Sequence, residues 1–415
     1  MRVPYESPGD SPARPPAQPA EPDRPAEPAA SDVPVPVGEA RRRRPGIRGA
    51  LTGAALALAL GAVTLTGLGL ADPFPAPAPG TAPFVTTALA AALPRGAALD
   101  EDDPTRPARG QGTNILVIGT DDRSTTTAKE MDRYHLGGSA CHCSDVLFVL
   151  HVSADRTRTS VVALPRDSAA DIPAHRDPVT GERRSGRRGK INAALALGGP
   201  ELTVRTVERA TGLRVDHWVH VDFRRFMDTV DAVDKVPVCL ERPMHDKATM
   251  LELSAGTHRL RGGPSLQYVR SRKVPGETSA DLNRIQRQHR FLVGTLLRLR
   301  EEPALRTLPR LTALARTLLS ATTVDQGFTP GDLGALTRDL ARLGPADTEF
   351  AIVPLDGFDG GNRSNLAWDE ERAPEVFDRL VHDRALTPTG STARQPQSPP
   401  FYGYTPIRGS ALACD

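Results

Sequence analysis

From residue 114 to residue 384 the chain alternates two kinds of apolar pattern. Asn114–Gly119 (NILVIG), Val146–Val152 (VLFVLHV) and Ser160–Leu164 (SVVAL) are short apolar runs of strand length. The last two predict a hairpin across Ser153–Thr159, and Trp218–Val221, Val236–Leu240 and Glu349–Val353 predict further strands. Apolar positions recur every three or four residues in Ile191–Leu197, Glu201–Thr211, Phe223–Val233, Gly262–Val269 and Asp281–Glu302, which predicts helices. The same period covers Ala304–Ser320, Gly331–Leu343 and Pro374–Arg384. Strands interleaved with helices imply an α/β fold whose sheet is covered on both faces. No internal repeat is visible.

The flanks differ. Residues 1–40 are rich in Pro, Ala, Asp and Glu without a hydrophobic period, so 1–48 reads as a disordered tail. Arg41–Arg44 and Arg48 then precede an uncharged run, Gly49–Ala71. At ~1.5 Å per residue this run spans roughly 35 Å as a helix, enough to cross a ~30 Å hydrocarbon core. A cleaved signal peptide would start unusually late, and the Gly content disfavours a buried helix. A single transmembrane helix over 49–71 fits best. The Arg cluster places the N-terminus in the cytoplasm and everything after Ala71 outside. Residues 72–112 read as a Pro/Ala-rich linker, with order from Asn114 to residue 385, and 386–415 read as a second disordered tail.

The formal charge of +2 and the 4% aromatic content argue against nucleic acid as a partner. The 4 Cys form no CxxC pair, which disfavours zinc. Isolated thiols remain open. The outside location favours one disulfide joining Cys141 or Cys143 to Cys239.

Candidate chemistry sits at strand ends, where α/β folds build sites. Asp121, Asp122 and Arg123 follow the first strand, Ser144 and Asp145 open the second, and Arg166 and Asp167 close the third. Lys190 and Asn192 lie at a helix start. Arg270, Arg272, Asp281, Arg284, Arg287 and Gln288 come later. In the long helix, Leu282, Ile285, His289, Leu292, Leu296 and Leu299 form an apolar seam bordered by Asp281, Arg284 and Gln288. Paired guanidinium donors match phosphate oxygens. A few carboxylates suit magnesium, which binds largely through substrate phosphates. P-loop, GxGxxG and GxSxG signatures are missing.

Taken in order, NILVIGTDDR (114–123), SDVLFVLHV (144–152), SVVALPRDS (160–168), KINAALALGGPEL (190–202), HWVHVDF (217–223), YVRSR (268–272) and DLNRIQRQHRFL (281–292) resemble the LytR-CpsA-Psr family of cell-wall ligases. The resemblance covers about half of the chain. It implies an α/β/α sandwich whose central mixed sheet and helices enclose an apolar pocket for a polyprenyl tail. It also implies a phosphotransferase that moves a glycopolymer from a polyprenyl-pyrophosphate carrier to a peptidoglycan hydroxyl, with Mg2+ (or Mn2+) as cofactor. By motif, Asp121 and Asp145 become metal or catalytic carboxylates and Arg166 a catalytic residue. Arg123, Arg166, Arg270, Arg272, Arg284 and Gln288 contact phosphates, and Asp281 and Arg287 support them. Lys190 and Asn192 match motif positions that we read as structural. The protein would be a single-pass cell-membrane protein with its catalytic domain outside.

Two departures stand out. Asp234 and Lys235 replace a Gly-Gly pair that the family shows before the Cys239 strand. Asp171–Gly189 is unusually rich in Arg, which fits a lid, an acceptor-facing patch or a solvated loop. The competing functions are a polyprenyl-pyrophosphate phosphatase, a non-catalytic wall-binding module and a DNA-binding transcriptional attenuator.

Overall fold

The computed structural model describes residues 99–138, 142–277, 279–301, 323–361, 364–387 and 405–414. The chain divides into Met1–Phe74 and Pro75–Asp415, and all described residues fall in the second unit. The expected transmembrane run at 49–71 and the helical pattern at 304–320 lie outside the described residues. Among those residues, no helix is long and apolar enough to cross a membrane.

Seventeen strands and seven α-helices are described. They run β1 (Thr113–Thr120), α1 (Ala128–Arg133), β2 (Ser144–Val152), β3 (Thr159–Ala163), β4 (Ala169–Ile172), β5 (His175–Arg176), β6 (Arg183–Arg184), β7 (Arg187–Lys190), α2 (Ala193–Thr211), β8 (His217–Val221) and α3 (Phe223–Ala232). Next come β9 (Val236–Leu240), β10 (Met244–Asp246), β11 (Leu251–Leu253), β12 (Gly256–Leu260), α4 (Gly262–Arg270) and α5 (Ala280–Glu301). The chain closes with β13 (Thr323–Val324), α6 (Pro330–Arg342), β14 (Thr348–Ile352), β15 (Leu355–Phe358), β16 (Leu366–Trp368), α7 (Arg372–Val381) and β17 (Ile407–Arg408).

Seven strands form the central sheet in the order β13-β8-β1-β2-β3-β14-β17. It is mixed: β1 pairs antiparallel with β2 and parallel with β8, and β3 pairs parallel with β14. On one face, Val204 and Val207 of α2 and Phe377 and Leu380 of α7 pack with Leu116, Ile118, Val149 and Val162. On the other, Val293 of α5 meets Val161 and Phe350, and Leu336 of α6 meets Ile115 and Val324. Sequence periodicity predicts this layering, because apolar runs without polar alternation belong to strands buried on both faces.

The long helix α5 is buried on more than its apolar seam. Asn283, Gln286 and Arg287 are also buried, because the antiparallel pair β9/β12 covers that further side. Gly294 permits the approach, since a Cβ there would lie 2.0 Å from the Pro237 carbonyl oxygen. The two helices expected at Ile191–Leu197 and Glu201–Thr211 are the two halves of α2, parted by non-helical backbone at Gly198 (φ −160°) and Gly199 (φ 71°) before Pro200.

Three expectations are corrected. Order begins before Asn114: Arg106 is 9% exposed and its guanidinium binds the buried Glu208 carboxylate at 2.8–3.1 Å, which ties the end of the supposed linker to α2. The tail beyond 385 is not featureless. Backbone N–H groups of Leu386 and Thr387 donate to Glu349 at 2.9 and 3.1 Å, and β17 extends the sheet. The third concerns the disulfide. Cys239 bonds Cys414, with 5.6 Å between Cα atoms, rather than Cys141 or Cys143. Cys239 belongs to the strand pair packed on α5, and the 3-10 turn Gly409–Leu412 that precedes Cys414 packs on the same helix. Cys143 lies at the foot of the central sheet, and its own disulfide partner lies outside the described residues.

Candidate active site

The β1 strand ends in a bulge. Gly119 opposes Val146 and Thr120 opposes Ser144, so Asp145 is the extra residue on β2. Bulges bend a strand and re-aim side chains beside sites. A Cβ at Gly119 would lie 2.9 Å from Val146 Cβ, so glycine lets the strands approach there. The bulge leaves Asp121 and Asp145 at the same end of neighbouring strands.

Asp145 accepts a hydrogen bond from Arg166 Nη1 at 2.5 Å. Arg166 Nε lies 3.9 Å from Asp281 at the start of α5. Asp281 in turn pairs with Arg272 Nη2 at 3.0 Å and Arg284 Nη2 at 3.1 Å. One carboxylate therefore gathers three guanidiniums from a turn, a loop and a helix. Burial opposes charge on Arg166, but Asp281 and Asp145 outweigh it and raise its pKa above the ordinary arginine value. Arg284 is 5% exposed, and burial lowers its pKa, with Asp281 offsetting and Arg272 and Arg166 adding to the fall.

A second group adjoins the first. Arg123 Nη2 binds Asp121 at 3.1 Å, and the other Asp121 oxygen is buried without a hydrogen-bond partner among the described residues. Arg270, at the end of α4, makes no ion pair among the described residues, and its Nη1 is buried without a partner. Its guanidinium carbon lies 4.7 Å from the centre of the Phe223 ring, with that of Arg123 at 5.9 Å from the same ring. Burial and the Arg123 charge lower the Arg270 pKa, while Asp145 and Asp121 oppose the fall, so both groups share one field.

Two predicted residues take other positions. Gln288 donates to the Val269 carbonyl at 3.3 Å and fastens α5 to α4. Arg287 binds Glu277 at 2.5 and 3.1 Å and the Ser271 carbonyl at 2.7 Å, holding the loop after α4. Lys190 pairs with Asp167 at 2.9 Å, and the Asn192 backbone N–H donates to the Arg166 carbonyl at 3.3 Å. Both brace the Arg166 turn.

The Arg-rich segment forms a ribbon, with β4 pairing β7 and β5 pairing β6. It leaves and rejoins the body beside that same turn. Sequence reasoning did not single out Phe223 as the ring beneath two arginines. It also missed Asp246, fully buried, which accepts the backbone N–H groups of Arg272 (2.7 Å) and Lys273 (2.5 Å). Neither sits in a local pattern that distinguishes it from core or turn.

Among the described residues no group of three or more His, Cys, Asp or Glu side chains is placed to hold a metal ion. Two carboxylates, one with an unpartnered buried oxygen, still fit magnesium, because substrate phosphates complete its shell.

The model of the LytR_cpsA_psr family matches residues 87–381. The probable cell wall biosynthesis protein LcpB of Corynebacterium glutamicum is 32% identical over 289 residues, covering 68% of this chain and 64% of that protein. The cell wall biosynthesis protein LcpA of the same organism is 26% identical, covering 60% of this chain and 51% of its own length. The chain thus spans less than two thirds of either relative. A LytR-Csp2A-Psr enzyme from Actinomyces oris has the same fold, with a TM-score of 0.52, 22% identity, and coverage of 69% of this chain and 96% of that one. TagT bound to LI-WTA is also similar in fold, with a TM-score of 0.50, 22% identity, and coverage of 69% of this chain and 98% of that one.

Proposed function

The chain belongs to the LytR-CpsA-Psr family, and from that premise we propose that it is a phosphotransferase moving a glycopolymer from a polyprenyl-pyrophosphate carrier to a peptidoglycan hydroxyl. The observation that carries this is the charge balance of the cluster. Arg123, Arg166, Arg270, Arg272 and Arg284 face Asp121, Asp145 and Asp281, with Asp167, itself paired to Lys190, and Asp246 close by, so positive charge remains in excess. A partly buried excess of guanidinium suits a polyanion, and a pyrophosphate supplies the charge and the paired oxygens.

An apolar carrier has a matching surface. Val117 of β1 registers with Phe148 of β2 and with Val219 of β8, and all three are half-buried on the sheet face that α5 and α6 adjoin. This contiguous row suits a hydrocarbon tail. A fold relative, TagT, is described bound to LI-WTA, which supports a cell-wall polymer as donor.

In this reading the acceptor hydroxyl oxygen attacks the phosphorus that bears the glycan. A new O–P bond forms, and the bond from that phosphorus to the bridging oxygen breaks. Polyprenyl phosphate leaves with the electron pair, and Asp121 or Asp145 takes the hydroxyl proton. Arg166 and Arg270 neutralise charge gathering on the leaving phosphate, so catalysis rests on positioning and electrostatics. Asp121 and Asp145 would hold Mg2+ (or Mn2+), which supplies further neutralisation of phosphate charge. The uncharged 49–71 run would anchor the protein in the cell membrane by a single pass with this site outside.

The test is transfer of a labelled glycan from a polyprenyl-pyrophosphate donor to peptidoglycan. Arg166→Ala should lower the rate by at least 100-fold, about 2.7 kcal/mol of transition-state stabilisation, with an unchanged far-UV spectrum. Wild-type rates in that variant remove Arg166 from the mechanism. Phosphate release without labelled peptidoglycan assigns a phosphatase instead.

A further inference from the structure

Phe223 is an apolar residue set against a charged site. It opens α3 directly after the N-cap Asp222 and is 7% exposed. Gly119 of β1 registers with Val221 of β8, so the segments that carry Arg123 and Phe223 leave neighbouring parallel strands at the same end. Leu136, Met227 and Leu266 pack with the ring and fix its place. Leu266 and Arg270 stand four residues apart on α4, so one stripe of that helix brings both an apolar wall and a cation to Phe223.

The Arg270 guanidinium carbon lies 4.7 Å from the ring centre and that of Arg123 lies at 5.9 Å. Both fall within the ~6 Å over which a ring face attracts a cation. Arg270 depends on this attraction most. Burial and the Arg123 charge both act against its positive charge. Arg123, Arg166, Arg272 and Arg284 each pair with a carboxylate, whereas Arg270 has no ion pair among the described residues. Its place in the last turn of α4 favours a cation, and Asp145 and Asp121 act on it without a direct bond.

The kind of partner matters chemically. A carboxylate holds a guanidinium by accepting its N–H bonds, and it cancels the charge. A ring face attracts through its quadrupole, adds no negative charge and takes up no strong N–H bond. A guanidinium held by a ring therefore keeps its charge and its donors for a phosphate. Arg270 and Arg123 are both half-buried, so a ligand can reach them. Core packing alone would be served by any apolar side chain of this shape. Holding the cations requires the negative face of the ring.

We propose that Phe223 is a positioning residue of the phosphate site, whose ring face holds Arg270 and steadies Arg123 so that both stay available to the pyrophosphate of a lipid donor. The inference rests on the transferase reading for the identity of that donor.

The experiment replaces Phe223 in the detergent-solubilised full-length protein by 4-fluoro-, 3,5-difluoro- and 3,4,5-trifluorophenylalanine. Each fluorine withdraws electron density from the ring face and hardly alters its size. Calorimetry measures the binding of farnesyl pyrophosphate, with farnesol as the uncharged control, and thermal melts report packing. Affinity for the pyrophosphate should fall step by step, to about tenfold weaker in the trifluorinated protein, with farnesol binding and Tm unchanged. Phe223→Leu should lose at least as much. Equal affinity across the series, or a fall matched in farnesol binding or in Tm, overturns the inference. A flat series with intact glycan transfer sinks this inference alone. A graded series in a protein that transfers no glycan to peptidoglycan sinks the transferase reading alone, and no binding of farnesyl pyrophosphate by the unmodified protein removes both.

Discussion

Asp281 shows how one residue organises several. Its carboxylate joins Arg272 and Arg284 and approaches Arg166, so charges that would repel are held within reach of a single anion. The predicted site residues come together here because strand ends and the first turn of α5 converge. Gln288 and Arg287, at neighbouring helix positions, turn instead to Val269 and to Glu277. Motif position could not separate these roles, because contact depends on which element covers each side of the helix.

His289 raises a different question at the same scale. It is 1% exposed, packs 5.0 Å from the Phe350 ring, and neither ring nitrogen has a hydrogen-bond partner among the described residues. Burial, helped by the Arg290 charge, lowers its pKa from 6.5 to about 3. The unfolded chain therefore binds a proton below pH 6.5 that the folded chain refuses until about pH 3. Stability is complete above that upper limit and falls as pH drops through the window, by an amount on the order of a few kcal/mol. His289→Met should flatten the fall of Tm between pH 6.5 and 4, read by thermal melts across that range. An identical pH slope in the variant would place the acid sensitivity elsewhere.

Among elements, the turn before β9 is the most instructive. Asp234 and Lys235 hold φ of 52° and 71°, the left-handed region that favours glycine. The departure from Gly-Gly thus kept the backbone and accepted strain. Arg298 helps hold it, donating from Nε to the Asp234 carbonyl at 3.1 Å. Lys235→Gly should stabilise the protein by roughly 0.5–1 kcal/mol, because the Cβ clash disappears while some chain entropy is given back. Chemical denaturation would show the midpoint rising; a lower midpoint would mean that Lys235 makes contacts worth more than the strain. The kink in α2 was legible in Gly198-Gly199-Pro200 as a break between two helices. The ribbons β4–β7 and β5–β6 were not, since their Arg-rich strands lack apolar alternation.

For the molecule as a whole, closure comes from segments distant in sequence. Arg106 reaches Glu208, β17 joins β14, and Cys239 bonds Cys414 across 175 residues. Replacing both Cys239 and Cys414 by Ser should lower stability by about 2–5 kcal/mol, since the bond removes freedom from the unfolded chain. Thermal unfolding should register this as a drop of several degrees in Tm, and an unchanged Tm would show that packing of the last strand alone closes the fold.

The sequence alone determined the alternation of strands and helices, the kinked helix, the arginines and aspartates at strand ends, and the family they resemble. Those are local properties: period, backbone preference and residue chemistry are written in neighbouring positions. Only the tertiary structure decided which carboxylate each guanidinium meets, that α5 is covered beyond its apolar seam, and that Cys414 rather than the Cys141–Cys143 pair closes on Cys239. Such pairings depend on how covering layers meet in space, and residues far apart along the chain carry no local mark of where they will lie.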